Sequence, residues 1–189
     1  MIDMPTTRRG ALEIALAGGV MAAGGGSAVA AAAGSTAPAD WKFLEGKWKV
    51  RHRKLKDRLV GSSEWIEFDG SCVNWPLLGN AANVDDNIFH MPGETYRGVG
   101  LRAYDPATNS WAIWWLDSRA TGQLDVPVRG GFKDGVGTFT AEDSWKGTPI
   151  ITRFRWSDIT PKSAVWEQAY STDGGASWEV NWLMQFTRA

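Results

Sequence analysis

The segment best suited to acid–base chemistry follows an aromatic run near the middle of the chain. A Trp-Trp-Leu run is followed by Asp117, Ser118 and Arg119, which places a carboxylate, a hydroxyl and a guanidinium together. The alternation of a strand puts Trp115 and Asp117 on one face. If that face is inward, burial would raise the pKa of Asp117 and suit it to proton transfer. The alternative is that Asp117 and Arg119 form an ion pair at a rim, without a role in function.

The two histidines, His52 and His90, are the other candidates for proton transfer. His52 shares a strand face with Trp48, so we expect it to point inward, and His90 closes a later strand. Two inward histidines could bind a metal together with Asp117 or Glu67. Their separation in sequence has no ligand-type spacing, so we predict no metal site. The catalytic candidates are therefore Asp117, His52 and Arg119.

Tryptophan is unusually abundant, with twelve residues, all after position 40. An indole ring buries a large apolar area and carries one hydrogen-bond donor. This abundance indicates either a thick aromatic core or an aromatic pocket, and composition does not separate the two. If there is a pocket, we expect its lining to include Trp48, His52, Trp65, Trp115, Asp117, Arg119, Trp166, Tyr170 and Trp182.

Length and composition indicate one folded domain over residues 40–189 of the 189-residue chain. A domain of this size can bury a substantial core without disulfides, and the single Cys72 allows no internal disulfide. The net charge of −1 comes from well-mixed acidic and basic residues. This balance does not favour nucleic acid or a membrane surface as a partner.

Residues 1–39 have the composition of an export signal and linker. The run Thr7-Arg8-Arg9-Gly10-Ala11-Leu12 resembles a twin-arginine signal, and a mildly apolar Ala/Gly-rich stretch follows over 14–33. Small residues at 28–30 and 37–39 offer two cleavage sites, of which we favour the second. The alternative is an uncleaved membrane anchor. We therefore expect a periplasmic or secreted protein.

After Asp40 the hydrophobic period is two, which indicates strands. Thr152, Phe154 and Trp156 alternate with arginines, and Val180, Trp182, Met184 and Phe186 alternate with more polar residues. The predicted strands are 46–56, 62–70, 72–77, 83–90, 96–104, 110–118, 123–132, 136–145, 149–158, 163–171 and 178–188. Because one of the early pieces is irregular, we count ten strands. Many short strands without helices predict an all-β fold, a closed antiparallel up-and-down barrel.

One turn carries a complete Asp-box pattern, Ser171-x-Asp173-x-Gly175-x-x-Trp178. This pattern recurs in sialidases and other sugar-active β-proteins. Physically it is a hairpin device, in which the carboxylate accepts backbone N–H bonds and the glycines allow positive φ. We interpret it as structural and do not infer a sugar substrate.

Three runs together resemble the DUF1579 group, whose members are bacterial proteins of unassigned function. They are FLEGKW at 43–48, GVGLRAYDPAT at 98–108 and WLDSRATG at 115–122. The resemblance extends from Trp41 to Arg188. It implies a ten-stranded lipocalin-like (calycin-type) barrel that is open at one end, with no established activity.

The opening Gly46-Lys47-Trp48 also resembles nitrobindin-type haem barrels, which ligate haem through a late histidine. Since no histidine follows His90, we predict no haem and no other cofactor.

These observations favour an exported barrel that binds a small, partly apolar or aromatic ligand in its interior. A second hypothesis is a cofactor-independent lyase, isomerase or hydrolase that uses an inward carboxylate or histidine as its base, with Arg119 or Arg153 stabilising negative charge. A third is a barrel filled with indole rings that binds nothing.

Overall fold

Ten antiparallel strands make up most of the structure, a computed structural model that describes residues 37–189. The strands are β1 Gly46–Leu55, β2 Trp65–Leu77, β3 Ala82–Met91, β4 Glu94–Asp105, β5 Ser110–Asp117, β6 Val128–Lys133, β7 Val136–Trp145, β8 Thr148–Ser157, β9 Ser163–Ser171 and β10 Glu179–Arg188. Each strand pairs with its neighbours in sequence, and β1 also pairs with β10. The sheet therefore closes without a free edge. The predicted closed barrel of ten strands is confirmed.

The structure corrects the predicted strand list at β2 and at β6. The pieces expected at 62–70 and 72–77 form one strand, β2, which starts at Trp65. The strand expected at 123–132 begins only at Val128, directly after Pro127, which has no N–H to donate to a ladder. The residues between β5 and β6 form a loop, in which the Asp125 N–H bonds the carbonyl of Trp115 at 3.0 Å.

The inner face of the barrel follows the predicted alternation on β8 and β9. Phe154 pairs with Gln168 and Trp156 with Trp166, and cross-strand partners share a face. On β10 the register shifts between Val180 and Trp182, where Asn181 is an extra residue in a β-bulge. Because of the bulge, Val180 does not share a face with Trp182, which corrects the regular alternation predicted for this strand.

One end of the barrel is closed by a 3₁₀ turn, Lys42–Leu44. The indole N–H of Trp48 bonds the Leu44 carbonyl at 2.8 Å, and Trp41 packs between the rings of Phe132 and Phe139. The guanidinium of Arg188, at the end of β10, donates to the carbonyls of Phe43 and Glu45. The last strand therefore holds the turn against the barrel.

The Asp-box turn joins β9 to β10 and is held by its own hydrogen bonds. Asp173 accepts bonds from the Ser177 N–H at 2.9 Å and from the Ser171 hydroxyl at 2.7 Å. The Ser177 hydroxyl also donates to Asp173, and this bond, together with the other two, holds the pKa of Asp173 well below its usual range. The Trp178 indole donates to the Gly175 carbonyl at 3.0 Å, and Gly175 has a φ of +94°. The geometry agrees with the structural interpretation.

The predicted export signal and linker, residues 1–39, lies outside the described residues except for its last three positions. Within residues 37–189, no helix is long and apolar enough to cross a membrane.

Candidate functional site

The barrel encloses a cavity of about 380 Å³ that extends from the end opposite the 3₁₀ turn towards the core. We call the open end, where β1 ends and β10 begins, the mouth. The lining residues are Lys54, Leu55, Lys56, Arg58, Asp85, Asn87, Phe89, Tyr96, Gly100, Arg102, Ile113, Trp115, Asp117, Arg119, Asp125, Trp145, Phe154, Trp156, Trp166, Gln168, Tyr170, Trp182, Met184 and Phe186. The cavity volume lies within the range of small-molecule sites, roughly 300–1,000 Å³.

Aromatic rings form much of the cavity wall, with ten of the 24 lining residues aromatic. Trp166 packs edge-on against Trp182, with ring centroids 5.7 Å apart, and against Phe154 at 4.9 Å. Trp115 lies across the inner face of β4, where Gly98 leaves room for it. A Cβ at Gly98 would lie 2.0 Å from the Trp115 ring. These contacts fix the rings in place around an open space.

A buried ion pair lies deeper in the cavity, and the sequence analysis missed it. Arg102 Nη1 is 2.6 Å from Asp85 Oδ2, and both side chains are less than 10 % exposed. Asp85 also accepts bonds from the Gly100 N–H at 2.9 Å and the Asn87 amide at 2.6 Å, and Arg102 donates to Asn83 at 3.1 Å. In this network the charges of Asp85 and Arg102 compensate each other, and the Asp85 carboxylate accepts hydrogen bonds from two further donors.

Two cations at the mouth, Lys54 and Arg58, were also missed. Lys54 is the inward residue that follows His52 on β1, and its ammonium lies 4.1 Å from the ring centroid of Trp182. Arg58 follows β1 and donates to the Tyr170 hydroxyl at 2.8 Å. The signal for Lys54 was the same alternation that placed His52 inward. For Arg58, which lies in a loop, the sequence held no comparable signal.

Asp117 and Arg119 line the mouth but are bound to each other. Arg119 Nη2 and Nε lie 2.7 and 2.9 Å from the two Asp117 oxygens. This contact lowers the pKa of Asp117 and raises that of Arg119, which is opposite to the raised carboxyl pKa expected from burial. The Arg119 guanidinium also stacks on the ring of Tyr96, 3.7 Å from its centroid. The geometry therefore agrees with the second interpretation of this segment, in which Asp117 and Arg119 form an ion pair at the rim of the barrel.

The two histidines do not meet, and neither lines the cavity. His52 is fully buried and stacked on Phe68, with Nδ1 3.3 Å from the indole nitrogen of Trp182. Burial lowers the pKa of His52 to about 3, so the ring is neutral at neutral pH. His90 is exposed and its ring contacts Thr95, so the two histidines do not both point inward. No group of three metal-ligating side chains converges within residues 37–189.

Six of the nine predicted lining residues face the cavity: Trp115, Asp117, Arg119, Trp166, Tyr170 and Trp182. His52, Trp48 and Trp65 do not. Trp48 is buried on the inner face but lies beneath the cavity, bonded to Leu44. Trp65 is on the outer face, where the Arg53 guanidinium lies 4.9 Å from its ring centroid. Trp65 does not line the cavity because it shares the outer face with Arg53, one residue out of phase with the inward Lys54.

No protein-family model matches the chain, and no curated protein sequence does. The resemblance to the DUF1579 group therefore stays a prediction. Among solved structures, a redesigned β-barrel is similar over 78% of this chain and 93% of its own, with 9% identity and a TM-score of 0.43. A similarity at that level says nothing about function.

Proposed function

We propose that the protein is exported and binds a small, partly apolar or aromatic molecule inside the barrel. The observation that carries this proposal is the cavity of about 380 Å³, in which ten of the 24 lining residues are aromatic. Apolar and aromatic walls with a few polar groups are typical of small-molecule sites. The space also argues against an interior filled completely by its own tryptophans.

The enzyme hypothesis has no comparable support. It relied on Asp117 or His52 as a general base, but Asp117 is held by Arg119 and His52 is bonded to Trp182. A base must reach the proton that it removes. Neither group is free to do so at the cavity surface.

The binding proposal is tested with phenylnaphthylamine, a neutral aromatic dye that fluoresces strongly in apolar surroundings. We expect saturable binding with one site per chain. Trp115→Ala is expected to weaken it by roughly tenfold, because an aromatic contact inside a site contributes about 1 kcal/mol beyond the area it buries. Trp75→Ala is the matched control, since Trp75 is exposed on the outer face. Equal affinity in both variants, or no binding at all, would contradict the proposal.

Export is tested separately by cell fractionation of the full chain. Replacing Arg8 and Arg9 together by lysine is expected to keep the protein in the cytoplasm, because twin-arginine signals depend on that pair. Unchanged export of the double variant would contradict a twin-arginine signal.

A further inference from the structure

We propose that the ligand is an apolar or aromatic acid, and that Lys54 and Arg58 bind its anionic group at the mouth of the cavity. This inference rests on the proposed ligand-binding function and names the chemical class of the ligand. It depends on two cations that line one cavity and that have no carboxylate partner among residues 37–189.

Lys54 is held at the cavity surface by an aromatic ring rather than by an acid. It pairs across the sheet with Trp182, and its ammonium lies 4.1 Å from the centroid of that ring. Within residues 37–189 it takes part in no ion pair. A half-buried ammonium loses part of its hydration, which is costly unless a charge compensates it. An incoming anion would supply that charge.

Arg58 approaches the same wall of the barrel. Its guanidinium donates to the Tyr170 hydroxyl at 2.8 Å and lies 4.8 Å from the ring centroid of Trp145. Tyr170 is the next inward residue after Gln168, which pairs with Trp182. The two cations therefore reach the same cavity, Lys54 from β1 and Arg58 from the loop that follows it, and they are close enough for Arg58 to repel Lys54. A guanidinium anchored by one N–H keeps further donors for an acid oxygen.

The other three cations that line the cavity already have carboxylate partners. Five cations and three carboxylates line it. The ion pairs of the remaining cations are Arg102 with Asp85, Arg119 with Asp117, and Lys56 with Glu64. Asp125 is the one lining carboxylate without an ion pair in the described part of the chain. Burial and repulsion from Asp143 and Asp117 raise the pKa of Asp125. Its charged neighbours are therefore acids, not Lys54 or Arg58.

The charged groups around Lys54 make anion binding depend on pH. Burial, together with repulsion from Arg58 and Arg119, lowers the pKa of Lys54 to about 8, against weaker attraction from Asp117 and Glu94. The neighbouring His52 is neutral in this range. A bound anion favours the protonated amine and raises its pKa again, so binding takes up a proton near pH 8. Affinity is then full below pH 8 and falls as the pH rises above it.

Two dyes with the same rings separate this inference from the binding proposal. Anilinonaphthalene sulfonate carries a sulfonate that stays ionised throughout this pH range, and phenylnaphthylamine lacks it. We expect the sulfonate dye to bind roughly tenfold more tightly at pH 7, as a hydrogen-bonded charge pair would give. Its Kd is expected to rise roughly fivefold between pH 7 and pH 9, because deprotonation of an amine with a pKa of about 8 removes at most the tenfold preference, and the bound anion delays that deprotonation. The neutral dye is expected to show no such change.

Variants of Lys54 assign the effect to this residue. Lys54→Met keeps the length of the side chain and its packing on Trp182. It is expected to reduce the preference for the sulfonate, since Arg58 remains, and to remove the pH dependence of that preference. Lys54→Arg is expected to keep the preference but lose the pH dependence, since a guanidinium stays charged. Lys49→Met is the control, because Lys49 lies on the same strand and is exposed on the outer face.

If both dyes bind with equal affinity, the cavity binds ligands but the acid class is wrong. The same holds if Lys54→Met behaves like Lys49→Met. If neither dye binds, the proposed function itself fails.

Discussion

The buried ion pair between Asp85 and Arg102 is the polar contact whose loss is expected to destabilise the barrel most. Asp85→Asn keeps the shape of the side chain and an acceptor for the Gly100 N–H, but removes the charge. Arg102 would then be left buried and unpaired, with its side chain 7 % exposed. Breaking a buried pair by removing one partner costs about 3–5 kcal/mol of unfolding free energy. We expect a loss in that range.

The adjacent residue provides a matched control. Asp86 lies on the opposite face of β3 and pairs with Arg97 at the surface, where the side chains are 31 % and 57 % exposed. Exposed pairs contribute little, because water and salt screen them. Asp86→Asn makes the same chemical change one position away. We expect it to leave the unfolding midpoint unchanged within error.

Urea unfolding followed by tryptophan fluorescence measures the difference, with the slope m checked to be equal in both variants. Combining Asp85→Leu with Arg102→Met is expected to recover much of the loss, because no charge then remains buried. If Asp85→Asn and Asp86→Asn unfold at the same urea concentration, the argument that burial makes this pair important is wrong.

Two further predictions concern backbone packing and pH. In thermal melts, Gly98→Ala is expected to lower Tm sharply, because the added Cβ would lie 2.0 Å from the Trp115 ring. Gly131→Ala is the control and is expected to leave Tm unchanged, since its Cβ would meet no neighbouring atom within 4 Å. For His52, the folded pKa of about 3 lies below the ordinary 6.5, so the unfolded chain binds the proton first as pH falls and stability is lost on acidification. The unfolding free energy is expected to fall by about 2 kcal/mol from pH 7 to pH 5. His52→Asn is expected to remove that pH dependence, with His90→Gln as the control. If His52→Asn keeps the full pH dependence, this assignment is wrong.

Alternation in sequence predicted the barrel because most strands have one clearly apolar face. Phe154 and Trp156 on β8 and Trp166 on β9 are inward, as their spacing implies. The rule fails where an extra residue enters a strand, as Asn181 does on β10. Its amide oxygen accepts a bond from Gln168 at 2.8 Å and it is fully buried. Nothing in the local pattern distinguishes this bulged residue from a regular outward one.

The polar part of the site was missed for a different reason. On β3 the apolar Val84 and Ile88 face outward, and Asp85 and Asn87 face inward. Alternation separates two faces of a strand, but it does not say which face is inside. The polar face is inside here because Arg102, on the next strand, supplies a partner. That partner is distant in sequence, so only the register of β3 and β4 reveals the pairing.

The position of this pair also determines how a ligand acid would be oriented. Arg102 is bound to Asp85 and Asn83, so the deep cation is already neutralised and offers little to an incoming anion. The uncommitted cations, Lys54 and Arg58, are both at the mouth. The acid group of the ligand is therefore bound near the solvent. The apolar part of the ligand lies deeper in the barrel, against the aromatic rings. The same arrangement keeps the desolvation cost of the anion low, because its charge never leaves the rim.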